Sequence, residues 1–289
     1  MKRKWLNAWD FEKSGMDSVI QFYHTHPINE DQILQTLQEK GINLDNLTEE
    51  TLKDYDQDHY GGVEAVDILA QKAGIQSSSY VLDVCSGMGG PARYLAHRYG
   101  CRVVGLDLTE SRYQGAIRLT KLVKLDHLVE FRLGNALEMP FPDHTFHVVI
   151  GQEAWFHVPN KPKLIEECAR VLKKGGTIAF TDILQVSSRY EPGLEKLQQQ
   201  MPFPYLETLE GYTQILEKNK FLILEKENLS QLWTTLLQSR LEMYRNLKDK
   251  TIQKFGEEHY RKWDETYSLF VSLFKEGKLG GGRFIAKKI

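Results

Sequence analysis

The sequence predicts an α/β protein: a doubly wound, mostly parallel seven-stranded sheet, with helices ahead of it and a helical insertion near the C-terminus. Three observations carry this reading. Short apolar runs alternate with amphipathic stretches from Tyr80 onward. A glycine-rich turn, Gly87 to Ala92, separates the first run from the helix that follows it. Acids sit at strand ends, with Asp83 four residues ahead of Gly87 and Asp107 closing the second run.

Residues 1 to about 60 lack strand signals. Ile33 to Leu37 has helical spacing, Thr48 to Leu52 begins like a capped helix, and residues 56 to 62 form a polar loop. Glu64 to Ala73 is a helix with Val66, Leu69 and Ala70 inward. Strands are expected at 80–84, 102–107, 129–133, 146–150 and 177–181, the last entered from a turn at Gly175 and Gly176. Helices are expected between them at 91–98, 111–123 and 162–172. Beyond Asp182 the spacing predicts a helix over 209–218 and a strand over 221–225. A long helical stretch then covers 229–276, and a closing strand covers 283–286. Some fifty helical residues between the last two strands exceed what a connection needs, so this insertion is expected to form a lid or substrate wall, with extra core packing or a dimer surface as the alternative.

Composition removes several classes. The 289 residues carry a formal net charge of −2, which argues against an extended basic surface for nucleic acid. The three cysteines, Cys85, Cys101 and Cys168, are far apart with no CxxC pair. They predict neither a disulfide framework nor a metal site, and they fit a reducing cytoplasm. No apolar run follows the basic start, so no signal peptide is expected, and no stretch reaches membrane-spanning length.

The chemistry is concentrated at the strand ends. Gly87 and Gly89 let the backbone turn tightly and approach a ligand. Pro91 suits a first helical turn. Alone, this turn also fits a nicotinamide fingerprint, which would make the chain an NAD(P)-dependent oxidoreductase. A dinucleotide would set its pyrophosphate against the helix N-terminus. The carboxylate of Asp83 would oppose that anion but suits a ligand bearing an ammonium and a sulfonium. Asp83 can act directly, through water, or by tying the loop. Asp107 can accept two ribose hydroxyls or cap the next helix. This layout points to S-adenosylmethionine, and so to methyl transfer.

In combination these segments resemble the class I S-adenosylmethionine-dependent methyltransferases over roughly residues 56 to 183. Asp83 to Gly89 is similar to the family's first motif, with Cys85 standing where a glycine is usual. The resemblance implies a Rossmann-like fold in which Asp107 is the ribose acid, Asn135, Ala136 and Leu137 form the adenine segment, and Gln152 lies at the fourth-strand end. Ser86, Leu108 and Arg112 complete the implied cofactor set. A narrower resemblance, to the glycine, sarcosine and dimethylglycine N-methyltransferase-like group, covers residues 56–62, 86–95 and 280–284. It implies that Gln57 and Gly62 help close over the cofactor. The chain then divides into an N-terminal helical segment with a cofactor-covering loop (1–62), a cofactor-binding core (63–228), and a helical cap with the last strand (229–289).

The acceptor is expected beyond the fourth strand, where Glu153 or His157 would orient or deprotonate it; if that segment is helical, their spacing puts them on one face. Trp155 and Phe156 either line its pocket or, as buried aromatics more often do, belong to the core. An amino-acid acceptor needs a cation, for which Arg189, Arg240 and Arg283 are candidates. The expected reaction is transfer to a small-molecule amine or amino-acid nitrogen, leaving S-adenosylhomocysteine. A phenolic oxygen or activated carbon is the alternative acceptor, and a non-catalytic cofactor-binding protein a further reading. The Asn/Asp-Pro-Pro-aromatic motif of nucleic-acid amine methylation is absent after the fourth strand. No nucleic-acid or membrane partner is expected, and the chain is expected to be a monomer or homodimer.

Overall fold

A computed structural model describes residues 8–24, 28–186 and 191–289. The chain opens with helices α1 (Ala8–His24), α2 (Glu30–Glu39), α3 (Glu49–Leu52) and α4 (Gly62–Ala73). The alternation then runs β1 (Tyr80–Val84), α5 (Gly90–Tyr99), β2 (Arg102–Asp107), α6 (Glu110–Leu122), β3 (Val129–Leu133), β4 (Phe146–Gln152), α7 (Lys161–Val171) and β5 (Leu172–Gln185). After α8 (Pro192–Gln198), α9 (Leu209–Lys218) and β6 (Phe221–Asn228) come α10 (Ser230–Asn246), α11 (Lys248–Phe255) and α12 (Glu257–Lys275), then β7 (Leu279–Lys288).

The seven strands form one sheet in the order β3-β2-β1-β4-β5-β7-β6, and β7 alone runs antiparallel to its neighbours. Strands buried on both faces explain the continuous apolar runs of the sequence. Val81, Val103, Val148 and Ile150 face a layer built from α2, α4, α5 and α6. Leu82, Val84, Val104 and Val149 face the opposite layer, with α7 and α9. The chain reverses direction of winding at β1, which pairs with β2 on one side and β4 on the other. That switch point opens a crevice at the strand C-termini.

Several boundaries differ from the sequence expectation. β5 starts at Leu172 and carries the Gly175–Gly176 turn within it, as a bulge where Gly175 takes φ +76°. The long helical stretch breaks into α10, α11 and α12, with Gly256 at φ +88° between the last two. β7 is longer than expected because Gly280, Gly281 and Gly282 extend it; side chains there would strike Ser230, Trp233 and Leu184. The cap thus packs directly on the sheet, around Trp233, Leu237, Phe270 and Phe274. Thr48 precedes α3 as expected, but its hydroxyl bonds Thr51 rather than a helix amide. α1 lies in the expected N-terminal helical segment, but no individual helix was expected over Ala8–His24. Among the described residues no helix is long and apolar enough to cross a membrane.

Candidate active site

The crevice at the switch point is a cavity of about 1130 Å³, its open mouth included, at the ends of β1, β2 and β4 and under α1. Eleven of the fifteen residues expected at the site line it: Asp83, Ser86, Gly87, Asp107, Leu108, Arg112, Asn135, Ala136, Gln152, Glu153 and His157. Gln57, Gly62, Gly89 and Leu137 do not.

The glycine turn explains itself through backbone angles. Cys85, Gly87 and Gly89 all adopt the left-handed region, with φ +64°, +53° and +78°. Glycine would relax the first of these positions, which accounts for its usual presence there. Gly89 acts on packing rather than ligand approach: a Cβ would lie 2.7 Å from Cε1 of Phe131. Asp107 receives the Gly87 amide on Oδ2 and the Thr109 amide on Oδ1, both at 2.8 Å. Each oxygen keeps a second lone pair. Burial raises its carboxyl, and the two amides pull it back.

Asp83 is enclosed, and no loop amide donates to it; its Oδ2 is buried without a hydrogen-bond partner. The loop-tying alternative therefore has no support in the geometry. Burial, then the nearby charge of Asp107, pushes its carboxyl up to about 7. Arg112 is likewise buried, with Nε and Nη2 unpartnered, and its guanidinium lies 4.7 Å from the Tyr23 ring centroid. Asn135 folds its Oδ1 onto the Leu137 amide at 2.9 Å, and Leu137 itself sinks into the core. The unpartnered groups of Asp83 and Arg112 fit the implied cofactor: Arg112, with the spare lone pairs of Asp107, suits ribose hydroxyls, and Asp83 suits a cation, while Leu108 and Ala136 supply apolar lining nearby.

The loop between α3 and α4 is held from below. Arg93, fully enclosed, donates Nη2 to Asp56 Oδ2 at 2.7 Å. Asp56 and Gln57 lie over Gly90, where a Cβ would come within 2.5 Å of the Asp56 carbonyl oxygen. Gln57 turns away from the cavity, bonding Asp56 through Nε2 at 2.7 Å and His59 through Oε1 at 2.9 Å. Asp58 and His59 face the cavity in its place. Burial lowers the His59 imidazole to about 4, so the ring is neutral at physiological pH. Gly62 begins α4, away from the cavity.

Beyond β4, Glu153 and His157 do not share a helical face. Glu153 takes φ +43° at the strand end, and Trp155–His157 form one 3-10 turn. Glu153 Oε2 accepts the Tyr60 amide at 2.5 Å, and Oε1 accepts the Thr181 hydroxyl. Burial raises this carboxyl to about 7 against those two donors. Glu153 therefore sits as an anchor between the covering loop and the sheet.

His157 Nδ1 lies 2.7 Å from the Pro202 carbonyl oxygen, and Nε2 lies 3.0 Å from the Tyr23 hydroxyl. A carbonyl only accepts, so Nδ1 carries a hydrogen, and in the neutral form of the ring Nε2 is the acceptor that faces the Tyr23 hydroxyl. Tyr23 was not foreseen, although Met16, Val19, Ile20 and Tyr23 have helical spacing and Met16, Val19 and Tyr23 line the cavity. Asp182 and Lys161 were also missed. Asp182 Oδ1 takes the Phe156 amide at 2.9 Å, and Lys161 Nζ donates to the Val158 and Tyr205 carbonyls at 2.5 and 2.6 Å. Together they brace the backbone on both sides of His157.

Trp155 and Phe156 are core rather than pocket wall. Trp155 stacks on Phe180 at 4.3 Å and donates to the Val84 carbonyl, filling the space above Gly151. Phe156 packs edge-on against Phe203. Arg240 is bonded to the His59 carbonyl and Arg283 to Glu227; Arg189 lies outside the described residues.

A family model described as a methyltransferase domain matches residues 82–180. The chain is 30% identical over 210 residues to a sarcosine/dimethylglycine N-methyltransferase from Halorhodospira halochloris, covering 72% of this chain and 74% of that protein. It is 27% identical over 228 residues to phosphoethanolamine N-methyltransferase 1 from Zea mays, covering 79% of this chain but 45% of that protein. The fold matches that of Haemonchus contortus phosphoethanolamine N-methyltransferase 2 in complex with S-adenosyl-L-methionine. That match has a TM-score of 0.76 at 21% identity and covers 94% of this chain and 60% of that one. With the sheet order, the acid-flanked glycine turn and the Halorhodospira relative all in agreement, the chain belongs to the S-adenosylmethionine-dependent methyltransferases.

Proposed function

We propose that this enzyme methylates the nitrogen of a small-molecule amine or amino acid, and that His157 receives the proton. The observation that carries the proposal is the Tyr23–His157 pair at the end of the cavity beyond β4, where the imidazole presents a fixed Nε2 acceptor. The similarity to the Halorhodospira protein, named for nitrogen methylation, supports an amine over a phenol or carbon acceptor.

S-Adenosylmethionine supplies an electrophilic methyl group on a sulfonium, transferred in line to a lone pair of the acceptor. Asp107 and Arg112 would hold its ribose, and Asp83 would balance its cationic tail. α1 and the covering loop exclude water. The Tyr23 oxygen takes the proton that the nitrogen sheds as its own proton passes to His157 Nε2, and the Pro202 carbonyl holds the hydrogen on Nδ1. Glu153 keeps the loop seated and takes no part in proton transfer.

Production of S-adenosylhomocysteine would be followed with sarcosine, dimethylglycine, phosphoethanolamine, simple amines and phenols. Turnover of an amine is the expected result; turnover of phenols alone refutes the nitrogen assignment. Replacing His157 with Ala should lower kcat about 10²–10⁴-fold while cofactor affinity holds. An unchanged kcat would remove His157 from the mechanism.

A further inference from the structure

We propose that Arg240 is a positioning residue through which the C-terminal cap, which adds no described residue to the cavity lining, holds the covering loop shut and so governs cofactor retention. Arg240 sits in the second half of α10 and is half-buried. Its Nη2 donates to the His59 carbonyl oxygen at 2.8 Å, and its guanidinium carbon lies 5.0 Å from the Tyr60 ring centroid. Trp233, on the same helix, meets the Tyr60 ring edge-on at 5.0 Å. The Tyr60 amide is already bound to Glu153. One side of the His59–Tyr60 segment is therefore gripped by α10. On the other side, the His59 ring lines the cavity beside Gln152, with 3.4 Å between Nδ1 and the amide nitrogen.

The loop's remaining anchor is the buried Arg93–Asp56 pair, three residues upstream of His59. That pair belongs to the core and fixes where the loop begins. Arg240 fixes where it lies. A guanidinium hydrogen bond to a carbonyl is stronger than a neutral one, and stacking on Tyr60 restricts the direction of approach. The cap keeps its own apolar core, Trp233, Leu237 and Leu241 against Phe270 and Phe274, whatever stands at 240. Losing Arg240 should thus loosen the loop, which Glu153 still holds at the Tyr60 amide, without unfolding the cap.

The inference rests on the cavity being the cofactor chamber, and the test separates the two. S-Adenosylhomocysteine dissociation would be timed on the full chain for wild type, Arg240→Met, Arg240→Lys and Asp107→Ala, with the melting temperature of each ligand-free variant. Arg240→Met should release the product about tenfold faster with an unchanged ligand-free melting temperature. Arg240→Lys, which keeps a donor, should recover part of the loss. An unchanged rate in Arg240→Met beside a weakened Asp107→Ala overturns the clamp alone. Unchanged behaviour in both overturns the chamber and the clamp together. A faster release that only tracks a lowered ligand-free melting temperature, without rescue by Lys, also overturns the clamp.

Discussion

Asp83→Asn should stabilise the ligand-free protein at pH 8 while weakening cofactor binding. The Asp83 carboxyl is buried, has no donor on Oδ2, and is raised from 3.8 to about 7 by burial and by Asp107. Because the folded-state value lies above the unfolded one, the group costs nothing below about pH 4. The cost grows as pH rises toward 7 and is constant above it. At pH 8 a rise of this size corresponds to roughly 4 kcal/mol, an upper bound. The amide brings its own unpartnered N–H groups, which cost about 1–3 kcal/mol but do not vary with pH. The cleaner quantity is the difference between two pH values: the variant should gain about 2–3 kcal/mol more, relative to wild type, at pH 8 than at pH 5. Urea unfolding of the ligand-free chains at both values measures it, and calorimetry with S-adenosylhomocysteine measures the accompanying loss of affinity. A stability difference independent of pH, or full affinity in the variant, would refute the assignment of Asp83 as an uncompensated acid awaiting a cation.

Three other substitutions test separate parts of the site. Cys85→Val places a β-branched side chain at φ +64° and should cost about 2 kcal/mol and weaken the cofactor, whereas Cys85→Gly should be near neutral; urea midpoints decide, and equal midpoints for Val and Gly would contradict the strain argument. Gly90→Ala puts a Cβ within 2.5 Å of the Asp56 carbonyl oxygen and should lift the covering loop, raising KM for the cofactor with little change in kcat; an unaltered KM would show that the loop can move aside freely. Glu153→Gln can keep both anchoring bonds, taking the Tyr60 amide on its carbonyl and donating to Thr181, so kcat should fall far less than the 10²–10⁴-fold expected for loss of a general base; a fall of that size would make Glu153 the base.

The sheet was legible because parallel strands bury both faces and so leave apolar runs such as Val81–Leu82 and Val148–Ile150 within β1 and β4. The cofactor wall was legible because its chemistry is local: a turn, an acid before it, and an acid one strand later. What failed to show depends on contacts between distant parts of the chain. Tyr23 meets His157 across 134 residues, and Arg240 meets His59 across 181. Gln57 is a polar residue in a polar loop, and its side chain is turned from the cavity by bonds to Asp56 and His59 that the sequence does not reveal. Pocket wall and core were both open for Trp155, and what decides for core is a glycine four residues earlier that leaves it a slot above β4.

Two acids near the cavity are raised to about 7, and they should not respond alike to acid. Protonation of Asp83 removes the charge that balances the cofactor's cationic tail. Protonation of Glu153 leaves an oxygen able to accept the Tyr60 amide, and Thr181 can turn its hydroxyl to accept instead of donate. The loop anchor therefore survives acid, and the cation partner does not. Cofactor binding favours ionised Asp83, so below pH 7 it must expel a proton, and affinity should climb with pH until the free carboxyl has titrated. That dependence should vanish in Asp83→Asn and persist in Glu153→Gln. The pH profile of product binding thus assigns the two carboxyls separately, although burial raises both to nearly the same value.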